Sequence, residues 1–257
     1  MSGTVPSQHS RVMLSRQHHD AVVFDMDGVI TDTARTHFSA WKRTFDDFLA
    51  RTAAPDGPPH RPFDRPDYLE HVDGKARLDG VETFLSSRGL QLPRGEPSDH
   101  PGTGTAWALA NRKDEMFRQA LAEEGVRTFP SAVALVRDLQ TAGFGTAVVT
   151  ASRNAEQVLE AAGLGGLFPV RVDGVESARL SLPGKPSPAV FLEAARRLEV
   201  SPRRTAVVED AVSGVQAGHD GGFGLVIGVG DGSHAESLTA AGADVVLSDL
   251  GDVSVSG

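Results

Sequence analysis

Short runs of apolar, mostly β-branched residues recur along the chain, at 21–24, 146–149, 205–208, 225–229 and 244–247. Apolar and polar residues do not alternate within them, so each reads as a strand covered on both faces, as in a parallel sheet. Helical patterns with clear punctuation lie between the runs. Ser131 is placed to cap a helix that runs to Ala142 and stops at Gly143. A second helix covers 154–162 and stops at Gly163, and Pro188 opens a third that ends near Leu198. This alternation predicts an α/β fold with a doubly wound parallel sheet.

The stretch 33–127 breaks the pattern and contains no convincing strand. Residues 37–50 form an amphipathic helix in which Phe38, Trp41, Phe45, Phe48 and Leu49 share one broad face, a packing face rather than a ligand surface. Further helices are expected at 80–88 and 111–124. The connectors 53–66 and 92–105 are rich in Pro and Gly. The segment 33–127 is therefore expected to be a helical insertion after the first strand, leaving 20–32 and 128–250 as the catalytic core. Residues 1–19 are polar and lack the apolar stretch of a secretory signal, so they are expected to be a disordered arm, and 251–257 a loose tail.

Composition narrows the function classes. The 257 residues carry a net charge of −9, which disfavours nucleic acid and anionic membranes as partners. There is no cysteine, which excludes disulfides, thiol catalysis and Cys-ligated zinc. No apolar run approaches the ~20 residues of a membrane span. A cytoplasmic monomer acting on a small molecule is the expectation.

The candidate chemistry sits at strand ends. Asp25-Met26-Asp27-Gly28 follows the first apolar run and sets two carboxylates two residues apart. One could attack as a nucleophile while the other moves protons. An Asp-Gly hairpin turn remains an alternative for this segment alone. A calcium loop does not, because its fifth, sixth and twelfth positions hold Val29, Ile30 and Thr36. Thr150-Ala151-Ser152 ends the second run and offers hydroxyls at a helix start, suited to phosphate or to an ordinary cap. Lys185, between Gly184 and Pro186, is a candidate fixed charge against phosphate, although a lone lysine is usually solvated. Glu209-Asp210 ends the 205–208 run with the oxygens that Mg²⁺ prefers, or simply as acids at a helix start.

The ordered set Asp-x-Asp, Thr/Ser, Lys, Glu-Asp resembles the haloacid dehalogenase-like superfamily, in its phosphatase and phosphomutase branch, over about residues 20–250. The resemblance implies a Rossmann-like core with an inserted helical cap. It also implies Mg²⁺-dependent phosphoryl transfer on a sugar phosphate through an aspartyl phosphate. Asp25 is then the phosphoryl acceptor and Asp27 the general acid/base, with Thr150 and Lys185 supplying a donor and a charge. Mg²⁺ would be held by Asp25, the Asp27 backbone carbonyl and Asp210, with Glu209 reaching it through water. In the mutase members, the pattern further implies Thr33 at the cap hinge and His37 and Trp41 on the cap side of the site. Arg77 would hold a distal phosphate, Arg112 and Lys113 the sugar, and Ser152 and Asn154 belong to the second loop. Two positions depart from the pattern: Asp114 stands where it has an amide, and Gly80 where it has a hydroxyl residue. The carboxylate at 114 is expected to pair with Arg112 or Lys113. Attack by water would make the protein a phosphatase, and attack by a sugar hydroxyl a mutase. A non-catalytic phosphosugar sensor has no need of both Asp25 and Asp27.

Overall fold

The computed structural model describes residues 11–52 and 60–257. Six parallel strands form the main sheet: β2 (Ala21–Asp25), β3 (Gly145–Val149), β4 (Val170–Val172), β5 (Thr205–Glu209), β6 (Leu225–Val229) and β7 (Val245–Leu247). Their spatial order is β4-β3-β2-β5-β6-β7. The order reverses at β2, which lies between β3 and β5. Such a reversal opens a crevice at the carboxyl ends of the central strands.

Every residue of β2 and of β5 is buried, which is why their sequences are unbroken apolar runs. Successive side chains point to opposite faces. Val22 and Phe24 enter one cluster with helices α5 (Pro130–Thr141) and α6 (Ala155–Ala161). Val23 enters the other, with α8 (Ala189–Arg197), α9 (Val212–Asp220) and α10 (Gly232–Ala240). A short helix, α7 (Gly174–Arg179), follows β4 and is capped by the Asp173 carboxylate.

Four helices separate β2 from α5: α1 (Ala34–Thr52), α2 (Arg65–His71), α3 (Arg77–Ser87) and α4 (Ala106–Glu124). They bury a third cluster of their own, in which Phe45 stacks on Trp41 at 5.0 Å and packs against Phe84 at 4.1 Å. The expected packing role of the α1 aromatic face is therefore met. Gly80 faces this cluster. A Cβ there would lie 3.3 Å from Val72 and 3.5 Å from Trp41, so a hydroxyl residue would crowd both. The two crossings between helices and sheet run side by side: Asp32 N–H donates to Arg127 O at 2.9 Å and Phe129 N–H to Ile30 O at 3.0 Å.

Three expectations need correction. Residues 11–19 and 251–257 are not a frayed arm and a loose tail. β1 (Val12–Ser15) pairs in parallel with β8 (Val253–Ser256), and Leu14 is fully buried. Arg204 fastens this corner to Asp20 with two hydrogen bonds. Residues 1–10 lie outside the described residues, as does 53–59 of the first connector. Ser131 is not a cap, because α5 begins at Pro130 and its N-cap is Phe129, with no side-chain bond. The helices expected at 37, 80 and 111 begin earlier, at Ala34, Arg77 and Ala106.

Phe84 has no exposure and joins Phe45 and Phe63 in the helical cluster. Phe84→Ala is expected to cost about 3–5 kcal/mol, as a truncation of a fully buried aromatic side chain does. Urea unfolding measures it, and a loss under about 1 kcal/mol would show that the cluster collapses around the gap.

Candidate active site

The crevice at the end of β2 gathers the strand-end residues. Asp25 is the last residue of β2, and Lys185 reaches it from the turn before α8. The Lys185 ammonium contacts both Asp25 Oδ1 and Glu209 Oε1, at the ends of adjacent strands. Burial alone would lower the Lys185 pKa, but the two carboxylates outweigh it and hold the ammonium charged. The other Asp25 oxygen accepts the Asp27 N–H at 2.8 Å. The second oxygen of Glu209 accepts the Ala211 N–H at 2.7 Å. Glu209 is therefore committed to positioning Lys185 and the following loop.

Asp27 is surrounded by donors. Thr33 Oγ1 donates to its Oδ1 at 2.5 Å and Thr150 Oγ1 to its Oδ2 at 2.8 Å. His37 Nε2 lies 3.2 Å from Oδ1. Burial would raise the Asp27 pKa, but His37, Thr33 and Thr150 reverse this and hold it well below the usual carboxylate range. Thr150 also accepts the Ser152 N–H at 3.0 Å, and Ser152 Oγ accepts that of Asn154 at 3.2 Å, so the loop after β3 is ordered by its own hydroxyls.

The helices supply the opposite wall. Lys113 Nζ lies 2.6 Å from His37 Nδ1, and His37 stacks on Phe117 at 4.0 Å. The His37 pKa is lowered, first by burial and then by Lys113. The network assigns a neutral ring that accepts from Lys113 at Nδ1 and donates from Nε2 to Asp27. Lys113 is itself buried, with the Trp41 ring 5.3 Å from its ammonium. Burial, helped by the charge of Arg77, lowers its pKa to about 7. Asp114 does not pair with Arg112 or Lys113. It meets Arg77 at 3.0 Å, Arg118 at 3.3 Å and the Asn154 amide at 2.7 Å. Arg112 instead pairs with Asp47 at 2.9 Å and does not line the cavity.

The remaining expected residues, Asp25, Asp27, His37, Trp41, Arg77, Lys113, Thr150, Ser152, Asn154, Glu209 and Asp210, line one cavity of about 60 Å³. Thr33 acts from behind, through Asp27. Lys185 lies under the cavity, against Asp25. Tyr68 and Asp73 also line the cavity and were not foreseen. They belong to α2 and the turn after it, between the connector 53–66 and the helix expected at 80, a stretch to which the sequence reading assigns no element. The helix-start signal was present in the sequence: Asp64 and Asp67 form a capping box around Pro66. Ser213 was missed too; its hydroxyl donates to Asp73 O at 2.9 Å and ties that turn to α9.

A divalent cation can be tested against these side chains. Among the described residues, no three His, Asp or Glu side chains already converge as a metal cage. The acids nevertheless crowd one another. Burial raises the Asp210 pKa well above its usual value, and Glu209, Asp73 and Asp25 add to the rise. Asp25 is raised by burial in the same way, against the opposing pull of Lys185. Asp73 is pushed up to about 6, also by burial. Gly28 has φ +93°, and a Cβ there would strike the Asp210 carboxylate. Oxygen-rich, mutually repelling carboxylates over a bare glycine fit a hard cation that keeps part of its water shell.

The haloacid dehalogenase-like hydrolase family matches residues 19–222. The chain is 42% identical to a beta-phosphoglucomutase of Mycobacterium bovis, over 96% of both chains. It is 43% identical to a trehalose-phosphate phosphatase of Mycobacterium leprae over 129 residues, 49% of this chain and 28% of that one. The crystal structure of a beta-phosphoglucomutase from Clostridium difficile shares the fold, with a TM-score of 0.71 at 22% identity over 91% of this chain and 92% of that one. The chain therefore belongs to the haloacid dehalogenase-like hydrolases, and it is an enzyme of that type.

Lys113 gives the site a pH signature. Its pKa of about 7 means that its charge is lost as pH rises above neutrality. A bound phosphate holds the proton on, so affinity for a phosphate monoester should fall by up to about tenfold per pH unit above about pH 7. The ester itself, with a second pKa near 6, is already dianionic there. Lys113→Arg stays charged and should flatten the fall. Calorimetric titrations from about pH 7 to about pH 9 make the comparison, and parallel slopes for the two proteins would remove Lys113 from the phosphate site.

Proposed function

We propose that this enzyme transfers a phosphoryl group on a sugar phosphate through an aspartyl phosphate on Asp25, as a β-phosphoglucomutase that converts β-glucose 1-phosphate to glucose 6-phosphate. The observation that carries the reading is the pairing of walls in one cavity. The strand ends bring a nucleophile and an acid/base, and the helices bring Lys113, Arg77 and His37. Simple hydrolysis needs only the first wall. A mutase must hold a second phosphate while the intermediate turns over, and cations on the facing wall suit that task.

The steps follow from the side chains. Asp25 attacks phosphorus as the bond from phosphorus to the leaving oxygen breaks, and Asp27 gives that oxygen its proton. Asp27 rests ionised under its three donors. A phosphate dianion arriving beside it raises its proton affinity, which lets it serve as the acid. In the return step, the accepting oxygen attacks phosphorus as its bond to the Asp25 carboxylate breaks, and Asp27 takes the proton of the accepting hydroxyl. Lys185 stabilises charge on Asp25 throughout. Mg²⁺, held by Asp25, the Asp27 carbonyl and Asp210, would neutralise the transferring group.

One observation favours a second reading, a sugar-phosphate phosphatase. Asp114 already neutralises Arg77, the proposed anchor of the distal phosphate. The trehalose-phosphate phosphatase likeness points the same way for the half of the chain that it covers.

Asp25→Asn should remove turnover of both an aryl phosphate and sugar phosphates, and substantial remaining activity would end the Asp25 assignment. Incubation with β-glucose 1-phosphate, Mg²⁺ and a trace of glucose 1,6-bisphosphate, followed by phosphorus NMR, separates the two readings. Glucose 6-phosphate is the expected product, and free phosphate alone would favour the phosphatase. Arg77→Ala should cripple the isomerisation far more than aryl phosphate hydrolysis, because only the bisphosphate needs a distal anchor. Equal loss of both would make Arg77 a support of the fold.

A further inference from the structure

Arg77 carries an anion of the protein's own. Its Nη1 lies 3.0 Å from Asp114 Oδ1, and that same oxygen accepts the Asn154 amide at 2.7 Å. Arg77 and Asp114 belong to α3 and α4, whereas Asn154 belongs to the loop after β3. One carboxylate thus ties the helices to the sheet across the cavity. The Arg77 and Asp114 side chains are 14% and 17% exposed, so water screens the pair poorly.

A carboxylate and a phosphate ask for the same partners, a guanidinium fork and an amide N–H. Arg77 and Asn154 therefore cannot serve Asp114 and a phosphate equally well at once. A phosphate that takes Arg77 and Asn154 therefore opens the tie across the cavity. Asp114 is not stranded by that opening, because Arg118 stands one turn along its own helix, 3.3 Å away.

We propose that Asp114 is an internal stand-in for the distal phosphate, which holds Arg77 and Asn154 until the phosphate of a sugar phosphate displaces it. The proposal rests on the reading of Arg77 as the distal-phosphate anchor. Affinity is then a difference between two anions competing for one set of donors. A dianionic phosphate at the right distance wins that exchange, and a neutral sugar does not. The site discriminates by charge at a position remote from the reacting phosphorus. The carboxylate, where the related pattern has an amide, is the element that imposes this competition.

The test is the binding of glucose 6-phosphate in the presence of Mg²⁺, by calorimetry, to the wild type, Asp114→Asn, Arg77→Ala and the double variant. Asp114→Asn keeps the size and loses the charge. It should bind about tenfold tighter, the scale of one charge-assisted contact. Asp114→Ser should gain similarly, and thermal melts establish that both variants are folded. The gain should vanish in the double variant with Arg77→Ala, which a merely structural role of Asp114 would not produce. Unchanged or weaker binding by folded Asp114→Asn and Asp114→Ser overturns the proposal. Weaker binding by Arg77→Ala without a gain in Asp114→Asn refutes the stand-in alone. Binding by Arg77→Ala as tight as the wild type overturns the anchor reading, and the stand-in with it.

Discussion

The site is organised around one buried ammonium. Lys185 sits between Asp25 and Glu209, at the ends of two adjacent central strands, and is only 1% exposed. Two carboxylates this deep in a parallel sheet would otherwise repel each other without water to screen them. The lysine resolves the conflict and thereby fixes both strand ends. Phe191 lies under its ammonium at 5.0 Å and limits its reach from below. The constraint extends to the glycines. A Cβ at Gly214 would strike the Glu209 carboxylate that Lys185 holds, and one at Gly28 would strike Asp210. Gly214 and Gly28 are thus bare because of where these carboxylates sit.

The topology supplies the other half. The strand order reverses at β2, so the loops after β2, β3 and β5 diverge around one point, and each delivers its residue there. The helical segment leaves the chain at that same edge and returns beside its own departure, through Asp32, Arg127, Ile30 and Phe129. Its inner face therefore covers the crevice. The result is a pocket in which Asp25, Asp27, Glu209 and Asp210 face from the sheet side and Lys113, Arg77, His37, Asp73 and Asp114 from the helical side. Charges fixed in advance on both sides of a transferring phosphoryl group need no reorganisation during the reaction.

What could be read in the sequence follows from this geometry. Strands β2, β3 and β5 are buried on both faces, so their apolar runs are unbroken and the chemistry at their ends stands out. β4 has only three residues, and its middle one, Arg171, pairs with Asp173, so no apolar run marks it. β1 and β8 meet across almost the whole chain length, and neither carries a local sign of its partner. The site residues on strand ends were legible by order and spacing. The partners of Asp114 were not. Consecutive residues on a helix do not face one another. Arg112 turns to Asp47 and Lys113 to His37, while Asp114 finds Arg77 on another helix and Asn154 on the sheet. Asp73 and Tyr68 were hidden because they follow the proline-rich connector 53–66, which masks the start of α2, although Asp64 and Asp67 form a capping box there.

The contacts to Asp27 show how the two halves are made interdependent. Of its three side-chain donors, only Thr150 comes from the sheet. His37 comes from α1, and Thr33 immediately precedes that helix, with its carbonyl accepting the His37 N–H at 2.9 Å. His37 is in turn held by Lys113 on α4. The ionisation of Asp27 is therefore set by where the helices sit. Without the donors at α1, Asp27 would keep only one of its three, and its pKa would rise. With α1 in place, Asp27 is held ionised, and the His37 that holds it is itself stacked on Phe117 of α4. The ionisation of a carboxylate at the sheet edge is thus set jointly by α1, α4 and the loop after β3.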